Sequence, residues 1–368
     1  MRTRILYILS GGRQERLAST AVTPDEFFYG FAHLMKLPDV DATLRVRGGR
    51  RGPGRVAQQA GHRLLALSPD FSDSSLDGAL LGQFDVIVTP HEPVHLLLAL
   101  HRDRAADARL VLIEMGIDKR IASSRLPWLT RRIARWMMSR MAAVVVFGGG
   151  EADYLLQQHL VSPHKLHVVQ FGVDVNYWTP AGNGEAAPGE GQVFAIGNDA
   201  GRDFVTLLKA IGSHPLRLHT RIAVPDELIS PNVQLTRGDW RGQTLSDAEV
   251  RDEYRRARFV VVPLHESHQP QGQSVALQAM ACGKAVVLTR TSGLWSPDHM
   301  RHGENCWLVE PGDVEGMRGA IDLLSRDRQL VARLGQAARA AAVEYFSCAR
   351  MDRELEAIIR HAAANPAL

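Results

Sequence analysis

Between Val260 and Pro311 the chain reads VVVPLHESHQPQGQSVALQAMACGKAVVLTRTSGLWSPDHMRHGENCWLVEP, a stretch whose residue types and spacing suit the capture of an anion. Gly272, Gln273 and Ser274 stand where a polar loop meets an apolar run of helical spacing, 274–282. Backbone N–H groups at such a junction lack partners within the helix, and the helix dipole favours negative charge there. The loop follows 259–263, an apolar run that fits a strand covered on both faces. It therefore sits at a strand's carboxyl end, where open α/β sheets bind ligands. The layout predicts a phosphate site. Arg202 stands just ahead of a helical pattern that starts at Phe204, and an arginine so placed can contact phosphate oxygens through two N–H groups at once. Lys209 falls later in that pattern and reads as solvated. Pairing of Arg202 with Asp199 or Asp203, closing the turn, is the structural alternative.

Two further pieces carry a resemblance. Residues 278–287 (QAMACGKAVV) and 302–311 (HGENCWLVEP) are similar to the Glu-Ala-Met-Ala-x-Gly-x-Pro-Val-Val and Gly-x-x-Gly-x-Leu-Val-x-Pro segments of retaining GT-B glycosyltransferases of the large family 4 group, also called glycosyl transferases group 1. Residues 148–155 (GGGEADYL) and 163–174 (PHKLHVVQFGVD) resemble the strand, helix and exit segment that end the first domain of those enzymes. The resemblance implies an α/β chain of GT-B fold, with two Rossmann-like domains facing across a cleft and a C-terminal helix crossing back to the first. It assigns 1–175 to an acceptor-binding domain, 176–192 to a linker, 193–345 to a nucleotide-sugar-binding domain and 346–368 to the returning helix. The composition of 179–192, TPAGNGEAAPGEGQ, is that of an exposed linker.

The resemblance also implies a reaction. A sugar passes from a nucleoside diphosphate donor, UDP- or GDP-linked, to a hydroxyl or amine of a glycan, a lipid-linked or a small-molecule acceptor, with retention and without a metal ion or other cofactor. On this reading Gly12, Arg202, Gly272, Gln273 and Ser274 hold the donor diphosphate. Glu266, Gln271 and Gln278 meet the ribose or donor sugar, and His91, Glu114 and Asp118 lie on the acceptor side. Both motif glutamates of the family are replaced, by Pro270 and Gln278. A glutamine amide still donates and accepts hydrogen bonds, whereas proline offers the sugar nothing, so Glu266 is the carboxylate to reach it. The family's first-domain histidine is also absent, its loop reading Glu114-Met115-Gly116-Ile117-Asp118. No catalytic residue is named, since same-face attack lets the departing phosphate take the acceptor's proton. A nucleotide-sugar epimerase of the same architecture, or an inactive nucleotide-sugar-binding partner subunit, are the alternative readings, the latter suggested by the replaced glutamates.

Elements that would position these groups follow from the apolar pattern. Runs at 4–9, 40–46, 84–89, 109–114 and 143–147 read as strands of an open parallel sheet, and 193–196 and 233–235 as strands of a second. Helical spacing covers 245–257, 317–324 and a long tail at 330–364. Gly11-Gly12-Arg13 is a glycine-rich turn without the G-x-G-x-x-G pattern, which gives a nicotinamide or flavin site no support. Asp39-Val40-Asp41 has the form of a metal-binding triplet but reads as a solvated turn.

Composition bounds the rest. A chain of 368 residues, 45% hydrophobic, has length for two domains, and 43 Lys and Arg against 40 Asp and Glu leave no nucleic-acid footprint. Cys282, Cys306 and Cys348 form no Cys-x-x-Cys pair and point to a reducing compartment. The start MRTRILYILSGG reads as a first strand rather than a signal peptide, and no run approaches the roughly 18 apolar residues that span a bilayer. A cytoplasmic protein is expected, at most touching the inner face of the membrane. The segment 125–141 (RLPWLTRRIARWMMSRM) has an apolar face and an arginine face, which suits either peripheral contact with anionic lipid or packing on the sheet.

Overall fold

Continuous runs of valine, isoleucine and leucine become parallel strands when helices cover both faces, and this chain builds two such sheets. The computed structural model describes residues 2–9, 13–18, 22–46, 62–67, 81–90, 92–101, 108–182, 191–238 and 245–364. The expected linker is therefore described only in part, and Gly12 and His91 lie outside the described residues. Two units divide the chain: Met1–Val169 with Met351–Leu368, and Gln170–Arg350.

In the first unit, strands β1 (Thr3–Leu9), β2 (Val40–Val46), β3 (Val86–Thr89), β4 (Arg109–Ile113), β5 (Ala143–Val146) and β6 (Leu166–Val168) pair in the order β2-β1-β3-β4-β5-β6, all neighbours parallel. Leu6, Ile8, Ile87, Leu110, Leu112, Val144 and Val146 share one core with Leu97 and Leu98 of α1 (Glu92–His101), Ile117 and Ile121 of α2 (Ile117–Ser123), Met137 and Met138 of α3 (Pro127–Ser139) and Leu155 of α4 (Gly149–Gln157). The amphipathic segment read at 125–141 is thus α3, and its apolar face is spent inside this core. Trp128 remains outside, 65% exposed. Among the described residues no helix is long and apolar enough to cross a membrane.

In the second unit, β7 (Val193–Ile196), β8 (Leu216–His219), β9 (Val233–Thr236), β10 (Phe259–Val262), β11 (Val286–Thr289) and β12 (Trp307–Val309) pair in the order β12-β11-β10-β7-β8-β9, again parallel throughout. The chain steps outward from β7 to β9, returns to β10 beside β7, and steps outward the other way. That reversal between β7 and β10 is a topological switch point, the place where doubly wound sheets open a crevice at the strands' carboxyl ends. Helices α5 (Phe204–Ala210), α6 (Asp247–Arg256), α7 (Gln273–Ala281), α8 (Val314–Arg326) and α9 (Arg328–Tyr345) clothe this sheet. Ser246 and Glu249 form a reciprocal capping box that starts α6, later than the expected 245.

The helical spacing read over 330–364 divides into two helices, α9 and α10 (Cys348–Ala364), at the point where the resemblance begins the returning helix, 346. Long-range backbone bonds make the break: Val173 donates to the Phe346 carbonyl at 2.8 Å, and Cys348 donates to the Val173 carbonyl at 2.9 Å. Gly172 lies so close to Ser347 that a Cβ there would strike its carbonyl oxygen. From Met351 onward α10 completes the first unit, burying Met351, Leu355 and Ile359. Its Arg360 takes Asp39 bidentately at 2.8 and 3.1 Å, and Glu356 meets His33 at 2.7 Å. Asp39 of the Asp-x-Asp triplet is thus engaged by an arginine.

Candidate functional site

At the switch point the loops after β7 and β10 run side by side. Arg202 and Leu264 form an isolated antiparallel bridge, His265 N donates to the Gly201 carbonyl at 2.9 Å, and Asp203 N donates to the Pro263 carbonyl at 3.1 Å. Arg202 is held between them with a side chain only 4% exposed. Its Nε donates to Asp199 Oδ2 at 2.7 Å, while its Nη1 is buried without a hydrogen-bond partner. The pairing with Asp199 is thus present: one edge of the guanidinium closes the turn, and the other leaves a buried donor to be satisfied. Such a donor costs about 1–3 kcal/mol unless something meets it.

Gly272 opens α7 in the left-handed region, φ 72. A Cβ there would come within 2.6 Å of Val262 Cγ1 and 3.2 Å of Arg202 Nη1, so glycine is required by conformation and by space alike. Beside these loops lies a cavity of about 430 Å³ whose walls include Asn198, Arg202, Phe204, Arg221, Val224 and His265. Asp203 caps α5, accepting from Thr206 N at 3.0 Å and from the Thr206 hydroxyl at 2.6 Å, and its Oδ2 lies 3.6 Å from His265 Nδ1.

The other expected donor residues are distributed around this centre. Gln273 is buried and Ser274 half-buried in the first turn of α7. Gln271 lies against Gly201 with its amide oxygen buried and unbonded. Gln278 is deeper in α7, 5% exposed, and accepts from the Tyr254 hydroxyl at 3.2 Å. Glu266 fastens its own loop, accepting from Ser267 N at 3.0 Å, from Ser292 N at 2.9 Å and from the Ser292 hydroxyl. Burial pushes its carboxyl up, but the Ser292 hydroxyl and those amides outweigh it and hold Glu266 below its ordinary range. Lys209 is exposed on α5, as expected, and is not among the residues lining the cavity. The sequence reading missed Arg221 and His265; the only signal for Arg221 was a basic residue just past a short strand.

The expected acceptor-side pair belongs to the first unit, and a third carboxylate joins it. Glu114 follows β4, Asp118 lies in the first turn of α2, and Glu151 in the first turn of α4; all three are buried. Glu151 Oε1 accepts from Gly116 N at 3.0 Å and Glu114 Oε1 from Ile117 N at 2.9 Å, so two carboxylates grip one loop. Burial first, then the Glu114 and Asp118 charges, push the Glu151 carboxyl well above its ordinary value, against the pull of the Gly116 N–H. Asp118 Oδ1 and Glu151 Oε2 are buried without hydrogen-bond partners. Glu151 went unread because an acidic residue in a helix's first turn is ordinarily a solvated companion of the dipole. Among the described residues no group of three His, Cys, Asp or Glu side chains is arranged to hold a metal ion.

Comparison with known proteins places this geometry in context. Residues 207–327, the heart of the second unit, match the model of the family described as glycosyl transferases group 1. The alpha-maltose-1-phosphate synthase of Mycolicibacterium smegmatis is 26% identical over 254 residues, 61% of this chain, and the chain spans 64% of that enzyme, just under two thirds. The MMP alpha-(1->4)-mannosyltransferase of Mycolicibacterium hassiacum is 26% identical over 345 residues, covering 88% of this chain and 74% of that one. Among solved structures, Anabaena HepE in complex with UDP-glucose superposes with a TM-score of 0.70 at 14% identity, covering 98% of this chain and 100% of that one. The sucrose-phosphate synthase of Thermosynechococcus elongatus gives 0.68 at 15% identity, covering 98% and 99%.

Proposed function

We propose that this chain, GT-B in fold and carrying the glycosyl transferases group 1 pattern in its second unit, is a retaining glycosyltransferase that takes its nucleoside diphosphate sugar at the β7/β10 switch point. The observation that carries the reading is Arg202: a guanidinium buried against a 430 Å³ cavity, with one edge on Asp199 and its Nη1 unbonded, beside the open start of α7. A donor's phosphate would satisfy Nη1 and the first N–H groups of α7 together. UDP or GDP is the expected nucleotide.

In the reaction, the bond from the anomeric carbon to the phosphate oxygen breaks as the acceptor oxygen bonds to that carbon on the same face. The acceptor's proton passes to the departing phosphate oxygen, and the products are the glycoside and the nucleoside diphosphate. Negative charge grows on the diphosphate throughout, and Arg202 with the α7 N-terminus lies where it would lower that cost without a metal ion. Glu114 and Asp118, at the carboxyl edge of the first unit's sheet, are the groups we assign to hydroxyls of the acceptor, a glycan, lipid-linked or small molecule.

Calorimetric titration with UDP, GDP, ADP, CMP and NAD tests the reading. One nucleoside diphosphate should bind, EDTA should leave its affinity unchanged, and Arg202→Ala should weaken it by roughly 10- to 100-fold. Binding of NAD alone, or of none, would sink the assignment. One observation favours a second reading, an inactive binder: Gln278 faces Tyr254, and Pro270 replaces the other motif glutamate. Slow release of free sugar from the bound donor separates the two, since an inert binder protects its donor.

A further inference from the structure

We infer that the outward face of α3 docks on an anionic lipid bilayer. Thr130, Ala134, Met137 and Met138 turn into the first unit's core, and steps of three and four residues then bring Trp128, Arg132, Arg135 and Ser139 to the solvent side as one stripe, with Arg125 just ahead of the helix. Packing on the sheet accounts for the first face and leaves the second without a use. Trp128 is 65% exposed. A lone exposed apolar residue means little, but Leu64, 46% exposed, stands on the turn to which the head of α3 is bonded. Arg125 N and the Ser124 hydroxyl both donate to the Leu64 carbonyl at 3.0 Å, and the Thr130 hydroxyl donates to the Leu65 carbonyl at 3.0 Å. Both apolar side chains are thus carried on a fixed base at one end of α3.

Charge selects the partner. From Lys119 to Gly150 the sequence has seven lysines and arginines and no aspartate or glutamate, in a chain whose formal net charge is only +3. Arg125, Arg132 and Arg135 are the exposed members of that run, and among the described residues none of the three has a carboxylate partner. Arg135 Nη2 donates to the Gln158 carbonyl at 3.1 Å, a neutral acceptor that leaves its charge in place. Arg63, next to Leu64, is exposed as well. A positive stripe with an indole at one end matches a bilayer surface, where anionic headgroups attract arginine and the interface takes up tryptophan. With 13 residues α3 is about 20 Å long, and it can lie along that surface without unfolding because its other face stays in the core. A nucleic acid or an acidic protein would use the arginines, whereas the bilayer uses Leu64 and Trp128 with them. Two apolar side chains and a few arginines make a shallow contact, so the attachment is reversible and depends on the anionic lipid.

This surface lies wholly in the first unit and does not depend on the nucleotide site. Sedimentation of the full chain with vesicles of phosphatidylcholine, alone and mixed with phosphatidylglycerol, is the test. Wild type should pellet with the anionic vesicles, stay in solution with phosphatidylcholine alone, and be released as salt rises. Arg132→Glu with Arg135→Glu should weaken the attachment by roughly tenfold or more, Trp128→Ala by roughly fivefold, and Arg132→Lys with Arg135→Lys by less than about twofold. These side chains are exposed, so circular dichroism and thermal unfolding should match wild type. Lys209→Glu with Arg333→Glu removes the same charge from exposed positions of the second unit and should leave binding unchanged. Wild type that ignores the anionic vesicles overturns the inference, as it does if heparin or RNA captures the chain through Arg132 and Arg135 instead. Equal loss in the second-unit variant also overturns it, because attachment would then follow net charge rather than α3.

Discussion

Glu151 carries a carboxyl in surroundings that oppose its charge, and the cause is nameable: burial, then Glu114 and Asp118 close by. Since its native affinity for the proton exceeds that of the unfolded chain, the stability it contributes is present at low pH and lost as pH rises through its raised native value. Glu151→Gln keeps an acceptor for Gly116 N and removes the titration. The variant should be more stable than wild type at pH 8 by about 1–2 kcal/mol, with the gap closing toward pH 4, in denaturant unfolding followed over pH. A glutamine variant as unstable at pH 8 as Glu151→Ala would show instead that the charge itself is used. Legibility at this scale divides by environment. The resemblance singles out Arg202, and its pairing with Asp199 is legible because the two lie three residues apart in one turn. Glu151 and Arg221 could not, because burial of the first and the neighbours of the second are set by strands β5 and β8 meeting β4 and β7, which the local sequence does not record.

The loop and helix start at 263–281 set the shape of the crevice, and Gly272 is the joint between them. Gly272→Ala combines a left-handed backbone at φ 72 with a Cβ 2.6 Å from Val262 Cγ1, whereas Gly303→Ala has φ 73 and nothing within 4 Å. The conformational cost alone, about 1–2 kcal/mol, is expected at Gly303, with nucleotide affinity intact. A larger drop in thermal stability and a weakened nucleoside diphosphate are expected at Gly272, and equal behaviour of the two variants would remove Gly272 from the site. Elements legible beforehand were those whose apolar runs were long or pure, such as Thr3–Leu9 and Phe259–Val262. Leu166–Val168, Leu216–His219 and Trp307–Val309 are too short and too mixed to show a period, and they exist because a neighbouring strand offers them a ladder. In the tail the apolar spacing alone runs on through Phe346; the break there, which the resemblance places at 346, is made by long-range bonds to Val173.

Across the whole molecule, the first unit is made from two pieces of chain with the entire second unit between them. Met351, Leu355 and Ile359 are almost fully buried, and each apolar side chain of this size is worth about 1.5–3 kcal/mol, so deletion of 351–368 should exceed the margin of an ordinary domain. Limited proteolysis should then degrade 1–169 in the truncated chain and spare it in the full one, while an equally resistant first unit would reduce the helix to an appendage. The double α/β plan could be read from strand runs and the quoted motifs, but the pairing of Arg360 with Asp39 could not, since the two lie at opposite ends of the sequence. Synthesis on the ribosome gives that arrangement a history. The surface around Gly30 and Asp39 is translated early and waits, wet and incomplete, while every residue of the second unit is added. Its missing wall, Leu355 and Arg360 included, leaves the exit tunnel only afterwards. The half of the protein that is born first is thus the half whose core closes last, and any chaperone that guards the nascent chain would meet it there.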